Sequence, residues 1–276
     1  MNLLELDIPR LLRQYGLHPH KSLGQNFLMD ESALQKVIDA AELTPQDVVL
    51  EIGSGLGSLT RHLANIANKV VAVEIDSSLI PALQQVVGQF SNVQVVKGDI
   101  LALDPVQLVS HAPYLVVANI PYYITSALIR HLLESSLPPR RLVLTVQQEV
   151  ARRICAMPGD MSLLALSVQV YGHPKILAPI PPGAFYPPPR VDSSIIRIDL
   201  FPSPLIPFTQ LDTFFLLIKA GFSQKRKTLR NALAAGLQRS PSAIVIMLED
   251  ARIDPMRRAE TLSLPEWKLL VERYLR

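Results

Sequence analysis

Residues 51–57, with the sequence EIGSGLG, carry the strongest local signal for chemistry in the chain. They follow a short apolar segment and precede a helical pattern. Gly53 and Gly55 therefore allow a tight turn beside the free N–H groups of a helix N-terminus. Glu74 ends the next apolar segment, about twenty residues on, where a carboxylate can accept both ribose hydroxyls of a nucleoside. The pattern favours a nucleoside pocket.

The glycine spacing and a second carboxylate narrow the choice of nucleoside. The loop follows G-x-G-x-G rather than the G-x-G-x-x-G of dinucleotide-binding proteins. Asp99 ends the third apolar segment, where it can accept the amino group of an adenine ring. Three successive strand ends then form a pocket for an adenosine without pyrophosphate, which predicts S-adenosylmethionine as the cofactor. The alternative is that the glycines serve only a turn and the acids are caps.

The tetrapeptide Asn119-Ile120-Pro121-Tyr122 follows the fourth apolar segment and suits methyl transfer to an aryl amine. Such an amine is a poor nucleophile because its lone pair is delocalised into the ring. The Asn119 side-chain oxygen and the Ile120 carbonyl can accept its N–H groups and favour the tetrahedral form, whose lone pair can attack a methyl group. Pro121 fixes the loop and Tyr122 can stack on the base, so positioning and electrostatics suffice. The alternative is a proline turn with a buried tyrosine.

These residues must lie at the strand ends of an α/β sheet. Apolar segments predict strands at 48–52, 69–75, 93–96, 115–118 and 141–146. Helical patterns around them predict helices at 31–43, 57–67, up to 87, 125–135, 148–156 and 161–171. This alternation implies right-handed β-α-β units and a doubly wound parallel sheet. The fourth strand lies where the strand order reverses. The first thirty residues are interpreted as irregular.

The pattern changes after residue 172. Ten prolines fall between residues 174 and 207, too many for a helix or a central strand. Residues 194–200 alternate and predict a strand that forms an edge hairpin with the residues near 175–180, and three later prolines indicate a linker. Helical patterns follow at 211–221, 224–235, 241–250 and 265–275. We therefore predict a Rossmann-like class I methyltransferase domain over 1–205 and a small all-helical domain over 206–276.

Composition excludes several protein classes. The chain has 276 residues, 49% of them hydrophobic, and no apolar run of membrane-spanning length. Its first residues lack the apolar core of a secretion signal. Cys155 is the only cysteine, so no disulfide or cysteine-based zinc site can form within the chain, and the six histidines show no metal spacing. We expect a cytoplasmic protein with neither a metal nor a membrane partner.

Basic residues concentrate towards the C-terminus. Residues 206–276 hold twelve Lys/Arg and seven Asp/Glu, a net charge of +5, which leaves −2 for residues 1–205. Lys225, Arg226, Lys227 and Arg230 form the start of a short basic helix that can grip several phosphates. A grip of this kind suits an RNA that is recognised by shape. The alternative is an exposed charged helix.

Taken together, these motifs resemble the KsgA family of small-subunit ribosomal RNA adenine dimethyltransferases. The resemblance runs from about residue 18 to the end and includes KSLGQNFL at 21–28, QQEVARR at 147–153 and FYPPPRVDS at 185–193. It implies two N6,N6-dimethyladenosines made on adjacent adenosines of the 3′-terminal hairpin of 16S RNA. Ser54 stands where many relatives have proline, which alters the stiffness of the loop.

The resemblance also implies roles for particular residues and a partner. A base-facing aromatic is expected at Phe185, and cofactor contacts are expected at Asn26, Leu28, Gly53, Glu74, Asp99 and Asn119. The expected partner is the small ribosomal subunit with its 16S RNA, bound by a monomer that has a role in subunit biogenesis.

Three other functions remain open from the sequence. A large-subunit RNA adenine methyltransferase of the antibiotic-resistance type shares the cofactor and amine motifs, although the basic stretch and the 185–193 loop favour the small subunit. A ribosome-assembly factor without catalysis is the second, and the intact loop from Asn119 argues against it. A DNA amino-methyltransferase is the third, disfavoured because no separate base-reading domain is visible.

Overall fold

The computed structural model, which describes residues 5–276, contains a seven-stranded mixed sheet. The strands are β1 Phe27–Leu28, β2 Val48–Ile52, β3 Lys69–Glu74, β4 Val93–Lys97, β5 Tyr114–Asn119, β6 Arg141–Gln147, β7 Gly172–Ile180, β8 Phe185–Tyr186 and β9 Ser193–Leu200. The sheet order is β4-β3-β2-β5-β6-β9-β7, and β1 pairs with β8 in a separate antiparallel ribbon. Strands β2 to β6 are parallel, as predicted, and β9 runs antiparallel to β6.

The strand order reverses between β2 and β5. The chain passes outward from β2 to β3 and β4, then returns to lay β5 against the other side of β2. Residues such as Val49, Leu50, Val70 and Val71 are fully buried, as expected for parallel strands covered on both faces. The reversal leaves a crevice outside the carboxyl ends of these strands, where α/β proteins bind their ligands.

Helices alternate with these strands along the chain and follow the last of them. They are α1 Ile8–Gln14, α2 Glu31–Ala41, α3 Ser58–Ala64, α4 Ile80–Val87, α5 Pro105–Leu108, α6 Thr125–Leu133, α7 Gln148–Ile154, α8 Leu163–Gln169, α9 Leu211–Phe222, α10 Leu229–Leu237, α11 Pro241–Asp250 and α12 Leu264–Tyr274. The expected N-cap of α2 is present, since the Asp30 side chain accepts a hydrogen bond from Ala33 N–H at 2.7 Å. The proline-containing β7 lies at the sheet edge beside β9, which confirms the predicted edge pairing.

Helix α1 lies in a segment that we expected to be irregular. Its N-cap is Asp7, and a proline occupies its first turn. Ile8, Leu11 and Leu12 pack with Phe27 and other apolar side chains that lie beyond the helix. A seven-residue helix is marginal by itself, so these long-range contacts, which local periodicity does not show, stabilise it.

The chain divides into two compact units whose boundary differs from the expected one at residue 205. One unit holds the residues up to 151 together with 175–200, and the other holds 152–174 and 201–276. Within the second unit, α8 contacts α9. Phe201 N–H and Leu205 N–H also donate to the carbonyls of Tyr171 and Val170, both at 2.9 Å. These contacts join α8 to the C-terminal helices, and the predicted linker to the residues at the end of α8.

A close crossing of α9 and α10 supports a prediction about stability. A Cβ added at Gly236 would lie 2.6 Å from Ala220 Cβ and 2.7 Å from its Cα. Gly236→Ala should therefore lower the free energy of unfolding by about 1–3 kcal/mol, the usual cost of overpacking, although alanine has the higher helix propensity. Urea titration would measure it. Gly183→Ala is the control, because a Cβ added at Gly183 has no neighbour within 4 Å. Equal stability of the two variants would show that α9 and α10 do not pack this closely at Gly236.

Candidate active site

A pocket lies at the carboxyl ends of β2, β3 and β5, in the crevice made by the strand reversal. It is lined by residues 23–27, Gly53, Gly55, residues 74–75, Leu79 and residues 119–122. Eight of the residues singled out from the sequence line it, namely Asn26, Gly53, Gly55, Glu74, Asn119, Ile120, Pro121 and Tyr122. The fold thus brings together the glycine loop, the strand-end acid and the amine loop (residues 119–122).

The glycine loop has a backbone that only glycine adopts readily. Gly53, Gly55 and Gly57 have φ angles of +72°, +56° and +87°, in the left-handed region that strains other residues. A Cβ added at Gly55 would lie 3.0 Å from the Phe27 ring. The bare backbone can therefore approach a ligand closely, which fits an adenosine-type cofactor held against the loop.

Glu74 is held at the pocket by the backbone around it. Its Oε2 accepts from Gly55 N–H at 2.7 Å and its Oε1 accepts from Asp76 N–H at 2.8 Å. Burial raises the pKa of Glu74, and the bonds from these two N–H groups act against that rise. Each carboxylate oxygen retains a second lone pair, so the group can still accept hydrogen bonds from a ligand.

The loss of this carboxylate should weaken cofactor binding. Glu74→Ala removes a charge-assisted acceptor, worth about 1.5–3 kcal/mol, so calorimetry should show S-adenosylmethionine affinity lower by roughly ten- to a hundredfold. Glu149→Ala removes an exposed carboxylate on α7 and serves as the control. Unchanged affinity for S-adenosylmethionine in a folded Glu74→Ala protein would show that Glu74 does not contact the ribose.

Asn119 is oriented by a neighbour far away in sequence. Its Nδ2 donates to the Asn26 carbonyl at 3.0 Å across a separation of 93 residues, while Asn26 Nδ2 donates to the Gly24 carbonyl at 3.1 Å. A carbonyl only accepts, so the atom facing Asn26 must be the amide nitrogen. Asn119 Oδ1 is therefore left to accept a hydrogen bond from a ligand.

Gln25 and Asp76, which were not predicted as site residues, hold the wall formed by residues 23–27. Gln25 Nε2 donates to Asp76 Oδ2 at 2.7 Å, and Gln25 Oε1 accepts from His20 N–H at 2.7 Å. Burial opposes ionisation of Asp76, but hydrogen bonds from Ser78 and Gln25 outweigh it and lower its pKa. Only the KSLGQNFL motif could have drawn attention to Gln25. No local pattern marks Asp76.

Two of the expected cofactor contacts do not line the pocket. The Leu28 side chain is 3% exposed and packs in the hydrophobic core with Leu34 and Phe185. Asp99 is exposed, and its Oδ1 accepts from Leu101 N–H at 3.0 Å just after β4. The structure therefore brings neither side chain into the pocket that holds the other five cofactor candidates.

Phe185, which was expected to face the target base, is buried in this structure. In the β1–β8 ribbon, Leu28 lies opposite Phe185 and Phe27 lies opposite Tyr186. Side chains alternate between the faces of a strand, so Phe185 points with Leu28 into the core, where it is 1% exposed. Tyr186 shares the face of Phe27, a pocket residue, and is 36% exposed. The accessible aromatic ring belongs to the next residue.

The basic residues lie in the second unit and are mostly outside a helix. Lys225, Arg226 and Lys227 are exposed in the segment before α10, and Arg230 is in the first turn of that helix. The prediction of a helix from 224 was wrong, because Leu229 N–H, the first of α10, donates to the Arg257 carbonyl at 2.6 Å. Within residues 5–276, none of these four cations has a carboxylate within 4 Å.

Membrane-spanning helices and metal clusters are both absent from residues 5–276. None of the helices in that range is both long and apolar enough to cross a membrane. No group of three or more His, Cys, Asp or Glu side chains in this part of the chain is placed to hold a metal ion.

The order of the sheet, the glycine loop and the strand-end Glu74 define a class I methyltransferase that uses S-adenosylmethionine. The family described as ribosomal RNA adenine dimethylase matches residues 16–270, and the chain belongs to it. The predicted fold class, cofactor and KsgA-family resemblance are thereby confirmed.

Similar proteins cover nearly the whole chain. Ribosomal RNA small subunit methyltransferase A of Dehalococcoides mccartyi strain CBDB1 is 46% identical over 99% of this chain and 96% of its own. The protein of the same name from Alkaliphilus metalliredigens is 41% identical over 95% and 94%. Among solved structures, a dimethyladenosine transferase from Plasmodium falciparum has a TM-score of 0.78 at 27% identity, covering 90% of this chain and 97% of that one. The 23S rRNA methyltransferase ErmE has a TM-score of 0.75 at 28% identity, covering 91% and 100%.

Proposed function

We propose that this enzyme dimethylates the N6 amino groups of two adjacent adenosines in the 3′-terminal hairpin of small-subunit 16S ribosomal RNA, and that it has a role in small-subunit biogenesis. The observation that carries the chemistry is the orientation of Asn119, whose amide nitrogen is engaged and whose oxygen is free at the pocket. The choice of the small subunit is supported by full-length relatives at 40–46% identity that carry the small-subunit name.

The amine loop holds the target nitrogen for attack. Bound S-adenosylmethionine supplies an electrophilic methyl group. In the first transfer, Asn119 Oδ1 and the Ile120 carbonyl accept the two N–H groups of adenine N6, which draws the nitrogen towards a tetrahedral form with its lone pair free. In the second transfer the single remaining N–H donates to one of these acceptors. In each transfer the N–C bond forms as the sulfonium S–C bond breaks, and the displaced N6 proton passes to solvent. Because Asn26 fixes the Asn119 amide before substrate arrives, little reorganisation is needed when the reaction begins. The target base must leave its stack to reach this loop.

Pro121 and Tyr122 complete the loop. Ile124 N–H donates to the Pro121 carbonyl at 3.2 Å and Thr125 Oγ1 donates to the Tyr122 carbonyl at 3.1 Å, so the turn is closed on itself. Tyr122 lines the pocket beside Asn119 and provides a ring on which the base can stack. Leu28 and Asp99 stay in the proposal as cofactor contacts in the bound state.

The four basic residues are proposed to grip RNA phosphates. Neutralising Arg226, Lys227 and Arg230 to glutamine should weaken RNA binding and reduce the log–log salt slope by roughly 0.7–0.9 for each phosphate that the protein no longer neutralises. Cofactor affinity should stay at the parental value. Binding titrations over a range of salt concentrations would measure this.

A control set removes three cations elsewhere in the same unit, namely Arg252, Lys268 and Arg276. If the phosphate grip is local to residues 225–230, the control set should change the salt slope less. Equal slopes for the parent and the Arg226, Lys227, Arg230 variant would show that the grip lies elsewhere.

The similarity to ErmE supports a second candidate, methylation of large-subunit RNA. One experiment separates the two and also tests for a DNA target. The purified protein and labelled cofactor are offered undermethylated small subunits, large subunits and duplex DNA, and the labelled nucleoside is identified by mass spectrometry. We expect N6,N6-dimethyladenosine only in the small subunit. Binding of small subunits without labelling would favour an assembly factor.

We further propose that the enzyme acts as a monomer in the cytoplasm, where ribosomal subunits are its substrate.

A further inference from the structure

Ser193 contacts the tyrosine of the amine loop. Tyr122 Oη and Ser193 Oγ are 2.6 Å apart, a normal distance for a hydrogen bond between hydroxyls, across 71 residues of sequence. Ser193 is the last residue of the FYPPPRVDS motif, and the proposed chemistry gives this serine no role. The contact therefore connects this serine to Tyr122, the residue expected to stack on the target base.

The backbone of Tyr122 is fixed, but its side chain still needs an anchor. The turn bonds from Ile124 and Thr125 hold only the main chain. A tyrosine side chain then keeps two rotatable bonds. The hydrogen bond to Ser193 engages the far end of the ring, so it restricts both rotations. By contrast, the neighbouring Tyr123 is 62% exposed.

Ser193 is suited to be that anchor because it cannot move easily. It is fully buried and is the first residue of β9, opposite Gln147 of β6. Burial also raises the pKa of Tyr122, against the effect of its bond to Ser193, so the phenol stays protonated at neutral pH. Both hydroxyls are then neutral, and one donates to the other.

We infer that Ser193 is a positioning residue that holds the Tyr122 ring in the orientation that supports the target adenine beside Asn119. The inference rests on the proposed function, since that function gives Tyr122 its stacking role. Ser193 acts only through Tyr122, and removal of its hydroxyl should affect the methyl-transfer step more than the binding of RNA or cofactor.

The test begins with Ser193→Ala. Its single-turnover rate of methyl transfer should fall about two- to tenfold, the usual worth of one hydrogen bond. The KM for RNA and the calorimetric affinity for S-adenosylmethionine should stay at parental values. Ser194→Ala is the matched control, because Ser194 is also buried, at 1% exposure, but points to the opposite face of the strand. It should keep the parental rate.

A double-mutant cycle shows whether the effect passes through Tyr122. Tyr122→Phe keeps the ring and removes the hydroxyl, so it should slow transfer as Ser193→Ala does, and Ser193→Ala should add nothing in that background. A further slowing of the same size there, or a folded Ser193→Ala at the parental rate, overturns the inference. Should Ser193→Ala not fold, a parental rate for Tyr122→Phe overturns it instead.

Failure of the proposed function gives a different result. In that case Tyr122→Ala also keeps the parental rate, or the parent protein methylates no adenine in small-subunit RNA. A large loss in Tyr122→Ala combined with a parental rate in Ser193→Ala removes the positioning role alone.

Discussion

Asn119→Ala is expected to transfer methyl groups more slowly than the parent by a factor on the order of 10²–10³, the usual cost of removing one preorganised polar group at a reacting centre. The substitution removes the free Oδ1 acceptor at the pocket and the bond from Nδ2 to the Asn26 carbonyl. RNA binding should barely change, because the proposed phosphate contacts lie on other residues. Nucleoside mass spectrometry after a single turnover would measure the rate.

Asn119→Asp separates the two functions of the side chain. It keeps an acceptor for the target amine but cannot donate to the Asn26 carbonyl, so it should disturb residues 23–27 and cofactor affinity along with the rate. Calorimetry on both variants would divide the loss between binding and chemistry. Dimethylation by Asn119→Ala at the parental rate would show that Asn119 does not hold the amine.

Phe185→Ala is expected to lower the free energy of unfolding by about 3–5 kcal/mol, the usual cost of truncating a phenylalanine in a packed core. The ring is 1% exposed and packs among residues such as Leu28 and Ile180. Tyr186→Ala, at the adjacent and more exposed position, should cost much less stability. Urea titration of both variants would measure the difference.

Phe185→Leu keeps most of the buried volume and tests the alternative role. If Phe185 only fills the core, this variant should fold and give the parental ratio of monomethyl- to dimethyladenosine. Accumulation of monomethyladenosine in a folded Phe185→Leu protein would contradict the core role and show that the Phe185 ring contacts the target base. The reason is that the second transfer requires the base to stay held while its methyl group rotates aside.

The sequence by itself determined the class of chemistry. The G-x-G-x-G spacing, Glu74 and the Asn119-to-Tyr122 loop each follow an apolar segment, and in a parallel sheet the carboxyl ends of such segments meet at one edge. Local order along the chain was therefore enough to predict the pocket, its cofactor and the alternation of strands and helices. The long helical patterns after residue 207 likewise predicted the helical end of the chain, because helix periodicity is a local property of the sequence.

The tertiary structure decided what depends on contacts between distant residues. A shift of one residue along a strand moves a side chain to the other face, so only the pairing of β1 with β8 shows that Phe185 is buried and Tyr186 accessible. The Asn119 amide is oriented by Asn26, 93 residues away, and α8 joins the C-terminal helices through its packing on α9. Local periodicity contains none of this information, because each partner lies outside any window over which a helix or strand pattern repeats.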